Sequence, residues 1–542
     1  MQIRINNLTI PLKSDITLEE AAAARLSLSV DKIKNVVIIR KALDARRYHN
    51  SEIKFIYILN VTVNDESKLI SKIKRDKSLE IIKPKRSSQN YQIKNNSQGL
   101  ILKRNPVVVG FGPAGMFAAL TLAKAGLNPL IFERGADVDT RHGDVKKFFS
   151  SGILNEKSNV QFGEGGAGTF SDGKLTTRLN DDLISEVVAT FIEAGAPEEI
   201  RYLQKPHIGT DKLRQVVKNI RNKIIELGGK IYFNSQVTDI EINDAQIKAI
   251  IINDEQRIET GAVFLGIGHS ARDTYEMLIN RGVKLEAKAF AVGVRIEHPQ
   301  EFIDQAQYGA DAGNPKLPAA DYMLTFKDEI NKRGAYTFCM CPGGQVVAAA
   351  SEFNGVVTNG MSNFARNSGI ANSAVLSTVT PEDFAEFGRD SFAGVRFQRQ
   401  LESLAFELGG RNYFAPVQTV GDFLNGRSGS TQFLIPPTYP IGVKAVDLHN
   451  CLPKFVTSTL ELALQAFNKK ITGFAADDVV MTGVETRTSA PCRILRDKIN
   501  FNSVSTAGLY PIGEGAGYAG GIMSSALDGM KAAKHLITLL QE

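Results

Sequence analysis

One glycine-rich segment, residues 106–135, constrains this chain more than any other feature. It reads PVVVGFGPAGMFAALTLAKAGLNPLIFERG. Its apolar pattern predicts a βαβ unit with a strand at Val107–Val109, a helix over Met116–Lys124 and a strand at Leu130–Phe132. Three glycines in G-x-G-x-x-G spacing join the first strand to the helix. This order of elements is typical of a fold that binds a dinucleotide.

Each residue type in that segment has a physical role in the predicted site. Gly110 permits the tight turn, Gly112 lets backbone N–H groups approach a pyrophosphate, and Gly115 lets the helix pack closely on the strand. The helix N-terminus adds positive potential for phosphates. Glu133, after the second strand, is expected to accept hydrogen bonds from ribose hydroxyls. The other expected contacts in this segment are Pro113, Ala114 and Arg134.

The same glycine spacing occurs twice more, at residues 163–168 and 515–520. The first string is followed by TFSDGK rather than by a helical pattern, and the second lies too near the chain end for a complete βαβ unit. Only residues 106–133 combine strand, glycines, helix, strand and acid in order, so the dinucleotide is predicted there. The alternative is a structural βαβ unit with chance glycines.

Near its C-terminus the chain resembles the two-dinucleotide-binding-domain flavoproteins of the glutathione-reductase type. A predicted strand at Gly508–Ile512 (GLYPI) leads into Gly513-Glu514, and a glycine-rich turn then opens a helix over Ile522–Leu540. In that superfamily such a strand binds the ribityl and pyrophosphate parts of FAD. Val263–Ala271 (VFLGIGHSA) matches a middle strand and turn, although Gly-Ile-Gly stands there in place of Ala-Thr-Gly. The contacts that this resemblance implies are Gly268, Gly513, Glu514, Gly521 and Ile522.

Longer motifs resemble a bacterial family labelled uncharacterised FAD-dependent dehydrogenases, and the resemblance covers nearly the whole chain. The matching segments are residues 161–178 (QFGEGGAGTFSDGKLTTR), 205–211 (KPHIGTD), 268–273 (GHSARD), 338–347 (FCMCPGGQVV), 484–494 (VETRTSAPCRI) and 513–529 (GEGAGYAGGIMSSALDG). The resemblance implies FAD as the cofactor. Non-covalent attachment is expected, because no Cys or His lies in an attachment motif.

The segment GEGGAGTFSDGK, residues 163–174, has five glycines in twelve positions. Backbone without side chains suits close approach to a flavin pyrophosphate or ring, so Gly165, Gly166 and Gly168 are expected contacts. Lys174 is a candidate to offset negative charge on the N1–C2=O edge of the reduced flavin. A mobile structural loop is the alternative.

Two cysteines, Cys339 and Cys341, lie on a strand-like run before Pro342. Residues two apart on a strand face the same side, so the pair could form a strained redox disulfide beside the flavin. The alternative is two small buried residues, which is the commoner role of Cys. No spacing of His, Cys and acidic residues predicts a metal site.

Four further residues are candidates for chemistry or substrate binding. His207 and His269 each lie in a polar turn near glycine, where either could act as an acid or base, or stand by chance. Glu485 and Arg487 lie in the dense polar run VETRTSAPCR. They could bind a carboxylate substrate or orient the flavin, or form a helix cap or a surface ion pair.

Composition places the chain among globular proteins of two or three domains, with 542 residues, 43% apolar and 23% charged. No apolar run suits a membrane-spanning helix and the N-terminus has no signal-peptide pattern, so a cytoplasmic location is expected. Residues 1–105 hold 21 Lys and Arg against 10 Asp and Glu, and the remainder holds 43 against 48. The excess of positive charge in residues 1–105 is interpreted as a solvated linker and surface. A contact with nucleic acid is the less favoured alternative.

The predicted fold is α/β: a Rossmann-like FAD-binding domain with an inserted α+β substrate or cap domain and a small N-terminal α+β domain of ferredoxin-like type. The predicted divisions are a basic domain at 1–80, a linker at 81–104, the first part of the FAD-binding domain at 105–284, the cap domain at 285–480 and the C-terminal part of the FAD-binding domain at 481–542. No second complete βαβ unit is visible between them, so NAD(P)H is expected only as a transient electron donor.

The sequence therefore predicts an FAD-dependent oxidoreductase, a dehydrogenase or reductase that acts on an unidentified small substrate by hydride transfer at flavin N5. Two alternatives stay open. One is a flavoprotein that binds or modifies RNA through its basic N-terminal domain. The other is a flavin-bound sensor without turnover. No membrane partner is expected, and the oligomeric state does not follow from the residues.

Overall fold

The structure, a computed structural model, describes residues 1–46, 52–64, 69–82 and 104–541. The predicted α/β class is confirmed. A Rossmann-like domain with a parallel sheet carries an inserted domain with a large, mostly antiparallel sheet, and a small α+β unit precedes both. No helix among the described residues is long and apolar enough to cross a membrane.

The N-terminal unit has the ferredoxin-like order βαββαβ. Its elements are β1 (Gln2–Pro11), α1 (Leu18–Leu26), β2 (Ile33–Asp44), β3 (Lys54–Val63), α2 (Leu69–Arg75) and β4 (Leu79–Ile81). The strands form one antiparallel sheet in the order β2-β3-β1-β4. Buried and half-exposed residues alternate along β3, so one face of the sheet belongs to the core. Of the predicted linker, residues 83–103 lie outside the described residues.

The next part of the chain builds the parallel sheet. Its elements are β5 (Val107–Val109), α3 (Pro113–Lys124), β6 (Leu130–Phe132), α4 (Val138–Ser151), α5 (Ile184–Glu193), α6 (Thr210–Glu226), β7 (Lys230–Tyr232), β8 (Val237–Asn243), β9 (Gln246–Ile252), β10 (Gln256–Glu259), β11 (Val263–Leu265) and α7 (Arg272–Asn280). Helix α3 begins three residues before its predicted start, because proline is favoured in a first helical turn. Strands β8, β9 and β10 form a separate antiparallel sheet.

The rest of the chain forms the inserted sheet and then returns to the parallel one. Its elements are β12 (Leu285–Ala287), β13 (Phe290–Pro299), α8 (Gln300–Tyr308), β14 (Thr325–Lys327), β15 (Gly334–Cys341), β16 (Gly344–Ala348), β17 (Thr358–Ser362), β18 (Ile370–Val379), α9 (Ala393–Gly409), β19 (Ala415–Thr419), α10 (Val420–Leu424), β20 (Val443–Ala445), α11 (Lys454–Lys470), β21 (Val480–Glu485), β22 (Cys492–Ile494), β23 (Leu509–Pro511) and α12 (Ile522–Gln541).

Two sheets bring distant parts of the chain together. The parallel sheet has the order β23-β11-β5-β6-β7, so the late strand β23 and the first βαβ unit belong to one sheet. The inserted sheet has the order β14-β15-β18-β13-β21-β19-β20. The division predicted between residues 480 and 481 falls at the first residue of β21, which pairs with β13 and β19 of the inserted sheet.

A buried ion network joins the two sheets. The Glu402 carboxylate, on α9, receives hydrogen bonds from Arg272 at 2.6 and 2.8 Å and from Arg487 at 2.8 and 3.0 Å. Arg272 opens α7 of the parallel-sheet domain, and Arg487 follows β21 of the inserted sheet. Burial disfavours the charge on Glu402, but the two guanidinium groups hold its pKa well below the usual range. The network therefore fixes how the two domains meet.

We expect Glu402→Gln to lower the free energy of unfolding by about 3 kcal/mol, because it leaves two buried guanidinium groups under-compensated. Glu407→Gln is the matched control on the same helix, since its partner Arg411 is exposed, and it should cost less than about 1 kcal/mol. Urea unfolding measures both variants. Equal losses in the two would show that the buried network does not join the domains.

Candidate functional site

A cavity of about 420 Å³ lies between the two sheets. On one side Val109, Gly266 and Ile512 line it, at the carboxyl ends of the parallel strands β5, β11 and β23. On the other side Phe338 of β15 and Glu485 of β21 line it. Ligands of open α/β sheets bind at the carboxyl ends of the strands, so the cavity lies where the predicted dinucleotide belongs.

Backbone alone forms one wall of this cavity. Gly110 has a φ of +87°, and a Cβ atom there would collide with the carbonyl oxygen of Gly266. A Cβ atom at Gly112 would lie 3.7 Å from the Cα of Gly166, so the two glycine loops approach each other closely. Gly112 also caps α3, whose first-turn N–H groups have no helical partners. Such a wall suits a pyrophosphate.

The Glu133 carboxylate ties the glycine loops together. It accepts hydrogen bonds from the backbone N–H groups of Phe111 at 2.7 Å, Gly135 at 3.0 Å and Gly163 at 2.9 Å. It also lines the cavity. A carboxylate offers about four acceptor positions, so Glu133 keeps capacity for the ribose hydroxyls that the sequence assigned to it.

The second glycine loop is shaped by Arg141, which sequence reasoning missed. Its buried guanidinium donates hydrogen bonds of 2.6 to 3.2 Å to the backbone carbonyls of Asn159, Val160, Gly163, Glu164 and Gly166. Burial lowers the pKa of Arg141 to about 10, so the group is still protonated at neutral pH. These hydrogen bonds fix the path of the loop in the structure and do not favour the mobile loop considered as an alternative.

A second source of positive potential at the cavity is the start of α12, whose first residue Ile522 lies beside Gly168 close to the start of α3. Gly520 and Gly521 line the cavity just before α12, so this 20-residue helix presents its positive end there. Lys174 also lines the cavity and donates a hydrogen bond to the carbonyl oxygen of Met340. Its Nζ lies 3.7 Å from the Asp172 carboxylate. Both features would favour negative charge on a bound ring.

Glu514 lines the cavity just after β23. Among the described residues its carboxylate accepts no hydrogen bond. Burial raises its pKa to about 7, and the positive charge of Lys288 opposes the rise. A carboxyl group with free acceptor capacity suits the hydroxyls of a ribityl chain, which is the contact that the resemblance implied.

A β-bulge lies at the two cysteines, although both of them line the cavity. Pairing of β15 with β18 shifts register between Phe338 and Cys341, and Cys339 has a φ of +42°. Both cysteines line the cavity as free thiols rather than as a disulfide. Cys339 is exposed to the cavity, but the surrounding protein desolvates its thiol enough to raise its pKa to about 12, and burial also raises the pKa of Cys341.

The two histidines have different positions. His269 lines the cavity, and its Nδ1 lies 3.0 Å from the Ser270 hydroxyl. Burial lowers its pKa to about 3, and the charge of Arg487 acts in the same direction, so the imidazole is neutral. His207 does not line the cavity. Its Nε2 lies 3.1 Å from the carbonyl oxygen of Phe364, which makes it a supporting residue beside the Lys174 segment.

Glu485 and Arg487 both line the cavity but do not pair with each other, contrary to the ion pair considered from the sequence. Glu485 accepts two hydrogen bonds from the buried guanidinium of Arg295, and the longer of the two is 3.0 Å. Burial raises the pKa of Glu485, and the positive charge of Arg295 opposes this rise only in part. Arg487 binds Glu402, so neither residue presents an uncompensated charge.

Most predicted cofactor contacts meet in this one cavity. Those that line it are Gly110, Gly112, Pro113, Ala114, Glu133, Arg134, Gly166, Gly168, Lys174, Gly268, Glu514, Gly521 and Ile522. Three predicted glycines lie behind its wall. Gly115 packs against the carbonyl of Gly110, Gly165 donates from its N–H to the carbonyl of Phe111, and Gly513 donates to the Asp528 carboxylate. They shape the loops rather than touch a ligand.

Sequence reasoning missed the buried partners Arg295 and Glu402. Arg295 interrupts the apolar strand FAVGVRIEHP, and a charge in such a run is a recognisable signal of a buried ion pair. Glu402 lies beside buried Leu401 on α9, where an acidic residue is also unusual. Their partners could not be identified, because the partners lie 85, 130 and 190 residues away in sequence. Within the described residues no cluster of His, Cys, Asp and Glu could hold a metal ion.

The glycine cradle, the acid at the strand end and the two helix N-termini at the cavity fit FAD and define an FAD-dependent protein. Residues 289–488 match the family described as FAD-dependent protein, C-terminal domain-like. Residues 2–62 match a domain of unknown function, DUF8436. The chain is 50% identical over 539 residues, or 99% of both chains, to an uncharacterized protein of Clostridium beijerinckii. It belongs to the family of that protein, and FAD is its cofactor.

Two more distant likenesses are weaker. A thiamine thiazole synthase of Pyrococcus horikoshii is 28% identical over 198 residues, which are 34% of this chain and 65% of that protein. The crystal structure of CtdE in complex with FAD has a TM-score of 0.31 and 13% identity, covering 81% of this chain and 88% of that one. These values carry no conclusion about the reaction of this chain, and the glutathione-reductase type is not established.

We expect Gly112→Val to lose FAD, because the side chain would enter the narrow gap between the two glycine loops where the pyrophosphate must approach. Purified protein should show a flavin-to-protein ratio at least ten times lower by visible absorption. Gly143→Val, at an exposed position of α4 with no atom within 4 Å of its Cβ, is the size-matched control. Full occupancy in Gly112→Val would disprove the cofactor site.

Proposed function

We propose that the protein is an FAD-dependent oxidoreductase that exchanges a hydride with a small substrate held against the wall of the inserted sheet. The observation that carries the proposal is the continuity of one cavity from the glycine cradle at Gly112 to Cys339 and Glu485 of that wall. The cofactor therefore has room for its ring beside polar groups of another domain. Non-covalent binding and a cytoplasmic location stay predictions.

When bound, FAD supplies a ring that accepts or donates a hydride at N5. The chain contributes charge and orientation around it. Lys174 and the N-terminus of α12 add positive potential, which favours the reduced, negatively charged state of a ring placed there. His269 is neutral, so it can accept or donate a hydrogen bond to a substrate without adding charge.

The substrate side of the cavity is polar but charge-compensated. Arg295 neutralises Glu485, and the carboxylates of Glu402 and Glu352 together neutralise Arg487 and Arg272. A substrate therefore meets fixed hydrogen-bonding groups rather than an uncompensated charge from these pairs. Preorganised groups of this kind orient a reacting molecule at small cost in reorganisation.

Neither alternative from the sequence gains a supporting observation. On β3, the face of the N-terminal sheet that points away from the core carries the half-exposed residues Ile56, Ile58 and Asn60. The described strands of this sheet carry no aromatic ring on that face that could stack on bases. An RNA role stays a prediction that salt-sensitive RNA binding by the full chain would support. A sensor role would be favoured by a flavin that no metabolite reduces.

The proposed activity is tested by the visible spectrum of the purified protein and by chromatography of the flavin that heat releases. We expect FAD, and we expect an anaerobic substrate of the right class to bleach its absorbance. Bleaching by NADH or NADPH would identify nicotinamide as the transient donor. A colourless protein that does not take up added FAD would contradict the proposal.

We expect Lys174→Met to lower the midpoint potential of the bound flavin by about 30 mV, which is about 1.4 kcal/mol for two electrons. The physical reason is the loss of a cation that stabilises the reduced ring. Lys498→Met removes an exposed cation that does not line the cavity and should leave the potential unchanged. An unchanged potential in Lys174→Met would place Lys174 away from the ring.

A further inference from the structure

The geometry points to a redox-active dithiol at Cys339 and Cys341 that exchanges two electrons with the flavin. The inference rests on the proposed function, because the flavin is the oxidant and reductant of the pair. It goes beyond that function by giving the cavity wall a second redox group, through which electrons would pass between the flavin and an external thiol or disulfide.

The β-bulge on β15 presents the first sulfur to the cavity. In a regular strand neighbouring side chains face opposite sides of the sheet, yet Phe338 and Cys339 both line the cavity. Cys339 is exposed there, whereas Met340 is 4% exposed and Cys341 is 1% exposed. Bulges next to active sites commonly re-aim a side chain in this way.

Three donors hold the bulge in place. Arg295 donates to the carbonyl oxygen of Cys339 at 2.9 Å, and the Cys341 thiol donates to the same oxygen at 3.2 Å. Lys174 donates to the carbonyl oxygen of the intervening Met340. A residue other than glycine with a φ of +42° persists only where its surroundings hold it, and such residues cluster at functional sites.

The surroundings act on the thiols in opposite directions. The thiolate is the reactive form of cysteine, and the positive charges of Arg295 and Lys174 favour it at each sulfur, but burial outweighs them and raises the pKa of both thiols. Cys451 and Cys492, by contrast, are buried and do not line the cavity. The chain therefore contains one cysteine pair at the flavin and two cysteines away from it.

The proposed step balances in atoms and electrons. The two thiols lose two protons and two electrons as one sulfur–sulfur bond forms. The oxidised flavin takes up the two electrons and one proton and becomes the anionic reduced flavin, and the second proton passes to solvent. Residues two apart in a chain have Cα atoms at most about 7 Å apart, and disulfides span about 4.4 to 6.8 Å. A disulfide in so small a ring is strained, and strained disulfides are readily reduced.

The test is an anaerobic reductive titration of the full-length holoprotein with dithionite, after oxidation by ferricyanide. We expect the wild-type protein to take up four electrons per flavin, two for the flavin and two for the disulfide. Cys339→Ser and Cys341→Ser should each take up two. The matched controls Cys451→Ser and Cys492→Ser should keep four, and flavin absorbance shows that each variant is folded.

Alkylation gives a second readout that needs no turnover. Iodoacetamide should label two cysteines of the oxidised, denatured wild-type protein and four after chemical reduction, with the difference on the peptide that contains Cys339 and Cys341. Uptake of two electrons together with four labelled cysteines in the oxidised protein would overturn the dithiol. Loss of flavin absorbance in the wild-type protein would instead contradict the flavin site itself.

Discussion

A single buried carboxylate, that of Glu402, sets the relation between the two halves of the cavity. It binds Arg272 of the dinucleotide-binding domain and Arg487 of the inserted domain in one network. Buried charges are tolerated only when they are paired and hydrogen-bonded. Arg487 pairs with Glu402, and Arg272 pairs with both Glu402 and Glu352. The glycine cradle and the wall of the inserted sheet are thereby held in one arrangement.

Arg141 has a comparable role in the half of the cavity that the dinucleotide-binding domain forms. Arg141 donates hydrogen bonds to five backbone carbonyls of the glycine-rich loop, and Glu133 accepts hydrogen bonds from three backbone N–H groups of the same region. Glycine loops lose much conformational freedom on folding, and these two side chains offset that cost with charge-assisted hydrogen bonds. Side chains of the protein itself therefore shape the cradle.

Sequence reasoning succeeded where a function depends on short spacing. The turn at Gly110 and Gly112, the acid at Glu133 and the alternation along β3 are local patterns, and each has the predicted place in the structure. It failed where a residue depends on a distant partner. The ion pair between Glu485 and Arg295 spans 190 residues, and the bulge at Cys339 depends on how β15 pairs with β18.

The sequence by itself determined the βαβ unit, the α/β class and a dinucleotide site, because backbone turns and strand–helix periods are encoded over a few neighbouring residues. That the dinucleotide is FAD was implied by the resemblance of longer motifs to a flavoprotein family. Only the tertiary structure decided which groups face that cofactor. It buried Glu485 and Arg487 in separate ion pairs, placed His207 outside the cavity and turned Cys339 into it. Those outcomes depend on packing between two sheets, and no local pattern contains that information.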